Sequence, residues 1–302
     1  MNKMKKIIVV GSANTDMVVK IDKHPLPGET RLGGDFFMNA GGKGANQAVA
    51  AARLGGNVAF VAKVGNDIFG KQTLDGLTNE HIDTSHVFID ETAPSGTALI
   101  IVNEAGENSI VVASGANAKL SVEDVGSIAD LTDAAFILMQ LETPLETVSA
   151  VIKAAKINGT HVILNPAPAQ HLSDTILDGL FLLIPNESEA SILTDIIVKD
   201  LATASKAADA ILQRGVSHVI ITLGKQGAYF KSLYKEFLTP APIVSAVDTT
   251  AAGDTFCGAL IVAKTEGKDW EEAIKFAIAA ASLSVTRMGA QASIPYRNEI
   301  NL

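Results

Sequence analysis

Cysteine is almost absent: Cys257 is the only one in 302 residues. A lone cysteine can form no internal disulfide and no Cys-rich zinc site, and it fits a reducing compartment. The six histidines, at 24, 81, 86, 161, 171 and 218, fall into no H-E-x-x-H or other paired spacing, and no G-x-S-x-G nucleophile elbow occurs. Positive charge is scarce. Lys and Arg number 24 against 33 Asp and Glu, a net charge of −9, whereas nucleic-acid binding needs a basic face. No apolar run reaches the roughly 18 residues of a membrane span. The run Ile7 to Val10 is too short for a signal-peptide core. A soluble, cytoplasmic protein without nucleic-acid or membrane partners is expected. Aromatics make up 5% of the chain, but total apolar content is 47% and charged content only 19%, which excludes a disordered polyelectrolyte. The length allows about two domains or one large α/β domain.

The apolar pattern favours the single α/β domain. Lys5 to Gly11, Asn57 to Val64, Ala135 to Leu141, His161 to Asn165, Leu180 to Pro185 and His218 to Leu223 read as buried strands. Helical stretches separate them, near 68–80, 144–157, 187–193 and 202–213. Two helices close the chain, Ala252 to Lys264 and Trp270 to Arg287, after a hairpin over 228–237. Strands alternating with helices imply a mostly parallel sheet covered on both faces. Residues 15–40 and 87–113 depart from this pattern. Short strands there, including Val87 to Ile89, Thr97 to Val102 and Ser109 to Val112, predict a small antiparallel β-sheet. The expected division is an α/β unit of 1–14, 41–86 and 114–302, and a β-sheet lid of 15–40 and 87–113.

Ligands of open α/β sheets bind beyond the carboxyl ends of the strands, and the unusual motifs fall there. In Asp248-Thr249-Thr250-Ala251-Ala252-Gly253-Asp254-Thr255-Phe256, small residues precede a helix whose N-terminal amides could hold a phosphoryl group or oxyanion. Asp254 beside them either takes a proton from an acceptor hydroxyl or merely complements the helix dipole. Gly41-Gly42-Lys43-Gly44-Ala45-Asn46 is neither a Walker A loop nor G-x-G-x-x-G. It suits either a tight turn before a helix or close backbone approach to a polar ligand. Asn14 and Asp16 follow the first strand, as vicinal-hydroxyl ligands or an Asx turn. Glu142 is an isolated carboxylate after another buried strand, or the solvated start of a helix. Asn186 and Glu189 share a helical face suited to hydrated Mg²⁺ or phosphate, or else cap the helix. Thr222-Leu223-Gly224-Lys225-Gln226-Gly227 could pass close to a nucleotide or simply turn a hairpin. Cys257 reads as small core packing.

Taken together, Gly11 to Asp16, Gly41 to Gln47, Met139 to Glu142, Asn165-Pro166-Ala167-Pro168, Asn186 to Glu189, Ile221 to Gly227, Val247 to Phe256 and Thr286 to Pro295 resemble the ribokinase family of sugar kinases, colinearly over essentially the whole chain. Asn14 with Asp16, and Asn165-Pro-Ala-Pro, resemble its ribose branch. The resemblance implies a ribokinase-like three-layer α/β sandwich with a small β lid that also clasps a second subunit into a homodimer. It implies ATP-dependent phosphorylation of D-ribose at O5, with Mg²⁺ and a monovalent cation such as K⁺. By position, Asn14, Asp16, Gly42, Lys43, Asn46 and Glu142 would contact the sugar. Asn186, Glu189, Thr222, Gly224, Gly227 and Gly253 would serve the nucleotide. Ala251, Ala252, Gly253 and Asp254 would form an anion hole, with Asp254 as base. Asp248, Thr250, Ser284, Arg287, Gly289 and Ser293 would surround the monovalent cation, largely through backbone carbonyls. Two positions depart from the pattern: Cys257 stands where Asn is common and Ile278 where His is common. A related acceptor (deoxyribose, a modified pentose or a nucleoside) is the alternative substrate, and a silent sugar or nucleotide sensor the alternative class.

Overall fold

The computed structural model describes residues 5–32, 34–105, 107–128 and 134–301. The remaining positions of the two expected units lie outside the described residues. Strands β1 (Lys6–Val10), β2 (Asn14–Lys20) and β3 (Phe36–Gly41) lead directly into helix α1 (Lys43–Arg53), followed by β4 (Asn57–Gly65), α2 (Ile68–Asn79) and β5 (Asp83–Asp90). Strands β6 (Gly96–Val102) and β7 (Asn108–Ala113) precede the short α3 (Val122–Gly126). Then come β8 (Phe136–Met139), α4 (Leu145–Asn158), β9 (His161–Leu164), α5 (Asp174–Leu177), β10 (Leu182–Leu183), α6 (Glu187–Thr194), α7 (Leu201–Gln213) and β11 (His218–Thr222). The hairpin β12 (Ala228–Ser232) and β13 (Glu236–Thr239) is followed by α8 (Ala252–Thr265) and α9 (Trp270–Ser284).

Nine of these strands form one sheet in the order β13-β12-β11-β10-β9-β8-β1-β4-β5. From β11 to β5 the strands are parallel, and the β12–β13 hairpin adds an antiparallel edge. Strand β1 shows why the interior strands read as unbroken apolar runs. Ile7 and Val9 enter a core shared with α1, α8 and α9, while Ile8 and Val10 enter a second core with α4, α6 and α7. A strand covered on both faces has no polar phase. Chain order runs outward in opposite directions from β1 and β8. Their carboxyl ends therefore open a crevice between diverging connections, the position where such sheets bind ligands.

The second sheet has the order β3-β2-β6-β7. Two expectations are corrected here. Val87 to Ile89 belong to β5, which pairs in parallel with β4 in the large sheet. The helix α2 carries the chain back across, so a β4–α2–β5 crossover between parallel strands outweighs the local run of short strands. The small sheet is also not wholly antiparallel, because β2 lies parallel to β6. The described residues between β2 and β3, 21–32 and 34–35, form turns and irregular chain. The period of two gives this sheet two faces. Asn14, Asp16 and Val18 point one way; Met17 aligns with Met38 and Leu99, and Leu99 with Val111, on the other.

Candidate active site

Five successive strand ends supply the site. Ser12 and Asn14 follow β1, Gln140 and Glu142 follow β8, Asn165 follows β9, Asn186 follows β10, and Thr222 ends β11. The segment Gly41 to Asn46 is not a free loop, since α1 already begins at Lys43. Its Gly residues answer to packing. A Cβ on Gly44 would lie 2.6 Å from the backbone of Gly11 and Ser12, and one on Gly41 would lie 2.3 Å from the Asp16 carboxylate. Gly42 takes φ 87° with Asn14 N 2.7 Å from where its Cβ would be. The start of α1 is thus pressed onto the end of β1.

Neither α1 nor α8 has a side-chain cap, whereas Asp67, Asn186, Asp200 and Asp269 cap α2, α6, α7 and α9. At α1 the vacancy is filled from across the crevice. Glu142 Oε2 accepts from Lys43 N at 3.1 Å and from Ser12 Oγ at 2.5 Å, and Ser12 O accepts from Ala45 N at 2.8 Å. At α8 it is not filled. Ala251 sits at φ 60°, a left-handed conformation unusual for a residue with a Cβ. Ala252 N donates to Thr249 O at 3.2 Å, but among the described residues no acceptor meets the Gly253 or Asp254 amides. Two free N–H groups at a helix N-terminus make a positive, directional anion site. A Cβ on Gly253 would meet nothing within 4 Å. A cavity of about 200 Å³ opens here, lined by Lys43, Asn165, Asn186, Glu189, Thr222, Ala251 to Asp254 and Cys257.

Asp254 is buried with both carboxylate oxygens held. Oδ1 accepts from Gln47 Nε2 and Oδ2 from Asn46 Nδ2, each at 3.0 Å. Burial pushes its pKa up, Lys43 and the two amides oppose the rise, and Glu142 adds to it. Asp16 is raised to about 6 by burial and by the negative charges of Glu142 and Asp254, against the opposing pull of Lys43. Burial disfavours the Lys43 ammonium, yet Asp254, Glu142 and Glu189 together raise its pKa. The site therefore concentrates four carboxyl groups around one lysine. Among the described residues, Asn46 Oδ1 is buried without a partner, an acceptor open to a hydroxyl. Asn14 Oδ1 accepts from Asn117 Nδ2 at 2.7 Å. Asp16, Lys20, Phe37 and Asn39 of the small sheet face Asp248, Thr250 and Gly289 across a wider cleft of about 1110 Å³.

Asn186 and Glu189 form a reciprocal capping box, with Asn186 Oδ1 accepting from Glu189 N and Glu189 Oε2 accepting from Asn186 N, both at 2.8 Å. They nevertheless line the cavity, so capping and ligand-facing readings coexist. Burial raises the Glu189 pKa. Thr222 reaches the cavity wall; Gly224 and Gly227 lie in the adjoining turn and do not. Gly227 has a structural duty, as its Cβ would fall 2.0 Å from Thr239 O. Asp248 ties two loops together, accepting from Thr250 N and Oγ1 and from Gly289 N at 2.7–2.9 Å. The Ser284 and Ser293 hydroxyls donate to Ala281 O and Ala290 O within their own turns, and Arg287 pairs with Glu299 at 2.7 Å. Besides the Asp248 carboxylate, this set has backbone carbonyls and the lone pairs of the Thr250, Ser284 and Ser293 hydroxyls to offer a cation. Ile278 packs in the core. Cys257 is core packing that also borders the cavity, its thiol pKa raised by burial.

Four participants were not singled out from the sequence: Ser12, Gln47, Asn117 and Gln140. Ser12, Gln47 and Gln140 belong to the motifs Gly11 to Asp16, Gly41 to Gln47 and Met139 to Glu142, yet only strand order brings them together.

A family model described as "pfkB family carbohydrate kinase" matches residues 4–297. The chain belongs to this family. It is 47% identical over 296 residues to a ribokinase of Haemophilus influenzae, covering 98% of this chain and 97% of that protein. A deoxyribokinase of Salmonella typhi is 39% identical, with 98% and 97% covered. Among solved structures, an Arabidopsis thaliana ribokinase complexed with ribose and ATP superposes with a TM-score of 0.92 at 35% identity, covering 99% of this chain and 98% of that one. An Asp with two free helix-terminal amides at the end of a parallel sheet is thus found in a family of ATP-dependent sugar kinases.

Proposed function

We propose that this chain transfers the γ-phosphoryl group of ATP to the 5-hydroxyl of D-ribose. The observation that carries the reading is Asp254, buried in contact with two amide side chains, in the first turn of α8 where its own N–H and that of Gly253 are unpartnered among the described residues, and close to the Lys43 charge. The sugar lies between Asp16, Asn14 and the α1 terminus, where Asn46 Oδ1 and the Asp16 carboxylate accept its hydroxyls. Asp254 takes the proton of the attacking hydroxyl. The sugar oxygen bonds to the γ-phosphorus as the bond to the bridging β–γ oxygen breaks, and ADP leaves with that electron pair. The Gly253 and Asp254 amides and the Lys43 ammonium neutralise charge on the transferring group. The buried Glu189 carboxylate with Asn186 fits a hydrated Mg²⁺, which keeps several waters; bound there it would add positive charge beside the phosphates. Closure of the small sheet over the cleft excludes water that would otherwise hydrolyse ATP.

Asp254→Asn tests the base. It is expected to lower turnover about 10²–10⁴-fold while ribose affinity, measured by calorimetry, stays near that of the parent. Near-normal turnover would refute the assignment. The deoxyribokinase relative makes 2-deoxyribose the competing acceptor, and a coupled assay across pentoses and nucleosides decides between them. D-Ribose is expected to give the highest kcat/KM, and a higher value with 2-deoxyribose would overturn the substrate assignment. A sensor would bind sugar or nucleotide and turn over none.

Monovalent-cation activation is part of the same reading. Asp248 gathers the two loops whose carbonyls would hold K⁺, so turnover should rise on adding K⁺ to a Tris-buffered enzyme. The outer face of the small sheet exposes Met38, Leu99 and Val111 at 48–68% of their full area. An apolar face of this kind suits a second copy of the chain, giving a homodimer that clasps through the lid.

A further inference from the structure

We propose that Gln47, itself held by Gln140 and Asn165, is a positioning residue that fixes the Asp254 carboxylate for proton acceptance. Gln47 is fully buried in α1. Its Nε2 donates to Asp254 Oδ1 at 3.0 Å and to Asn165 Oδ1 at 3.1 Å, and its Oε1 accepts from Gln140 Nε2 at 2.6 Å. Asn165 in turn donates through Nδ2 to Ile184 O at 2.9 Å. One amide therefore links α1 to the start of α8 and to the ends of β8 and β9. The network leaves it only one orientation. Both Nε2 hydrogens face acceptors and Oε1 faces a donor, and the flipped amide would set its oxygen against the carboxylate.

The chemical consequence follows from what surrounds Asp254. Lys43 of α1 favours its charged form, while Glu142 beyond β8, Asp16 of β2, Glu189 of α6 and Cys257 one turn along α8 are acidic groups that do not. In that setting the donors from Gln47 and Asn46 help keep the carboxylate ionised and hold each oxygen's direction. Hydrogen bonds to the charged form of an acid are what lower its pKa. Among the described residues, Gln140 Oε1 is buried without a partner, a polar cost that is retained where Gln140 orients Gln47.

The inference rests on Asp254 as the base, and the experiment separates the two. Gln47→Met keeps the length and apolar volume of the side chain without the donor. Its kcat–pH profile for ribose should show the acid limb displaced upward by about one pH unit, a tenfold loss below it, with turnover recovering at high pH and KM for ribose little changed. Gln140→Met, which does not touch Asp254, should displace the limb the same way by less, and it decides the matter if Gln47→Met fails to fold. A purely structural role would lower kcat equally at every pH. If Asp254→Asn is inactive but neither glutamine variant moves the acid limb, the positioning role is wrong while the base stands. If Asp254→Asn retains turnover, the base reading itself has failed.

Discussion

Asp16→Asn should stabilise the ligand-free protein while removing its grip on sugar. In the folded chain the Asp16 carboxyl is raised from 3.8 to about 6 by burial and by Glu142 and Asp254. At about 1.4 kcal/mol per pH unit, ionising it in place costs about 3 kcal/mol relative to the unfolded chain. Partial exposure of the side chain brings the expected figure to about 2–3 kcal/mol. The sign follows from proton linkage. The folded state holds a proton that the unfolded state releases above 3.8. The contribution of Asp16 is therefore most favourable below that pH and is lost as pH rises through about 6. Asparagine cannot ionise and escapes this loss. Urea unfolding at pH 7.5 should show a higher midpoint for Asp16→Asn at unchanged slope, and the gap should shrink towards zero near pH 4. Calorimetry at pH 7.5 should meanwhile show ribose binding weakened at least about tenfold, the worth of a lost hydrogen bond to a charged group. A variant no more stable than the parent at pH 7.5, or a gap independent of pH, would refute the electrostatic reasoning.

Two glycines should separate folding from chemistry. Gly44→Ala places a methyl 2.6 Å from the backbone of Gly11 and Ser12 and should cost about 3 kcal/mol in thermal or urea unfolding. Gly253→Ala meets no atom within 4 Å, so stability should hold to within about 0.5 kcal/mol while the methyl obstructs the phosphoryl position and turnover collapses. Val111→Asp on the outer face of the small sheet should shift light-scattering mass from dimer to monomer. A mass unchanged by it, or a parent that is monomeric, would remove that face as the interface. Asp248→Ala frees the Thr250 and Gly289 amides that the carboxylate holds, and any activation of turnover by added K⁺ should be weakened or abolished.

Much of this arrangement is legible along the chain because its signals are local. Buried strands announce themselves as apolar runs ended by Gly or Asn, and capping residues mark α2, α6, α7 and α9. Segments rich in small residues mark the two helix starts that reach the crevice. The places of Asp254, Lys43, Asn14, Asp16 and Glu142 at element ends follow from the same local reading. Other features depend on strand order. Val87 to Ile89 look like lid strands until the crossover through α2 carries them to β4. That Glu142 caps α1 requires β8 to lie beside β1, which 99 residues of separation do not reveal. Gln47 reads as one more polar residue on an Ala-rich helix, and it becomes a junction only when β8, β9 and α8 converge on it. Sequence by itself determined the residue types, the elements that bear them and the family to which the chain belongs. Tertiary structure alone decided which carboxylates share one lysine, which amides stay unpartnered and which side chains hold the Asp254 carboxylate. Hydrogen bonding and electrostatics act over a few ångströms of space, and only the folded order of the sheet sets those distances.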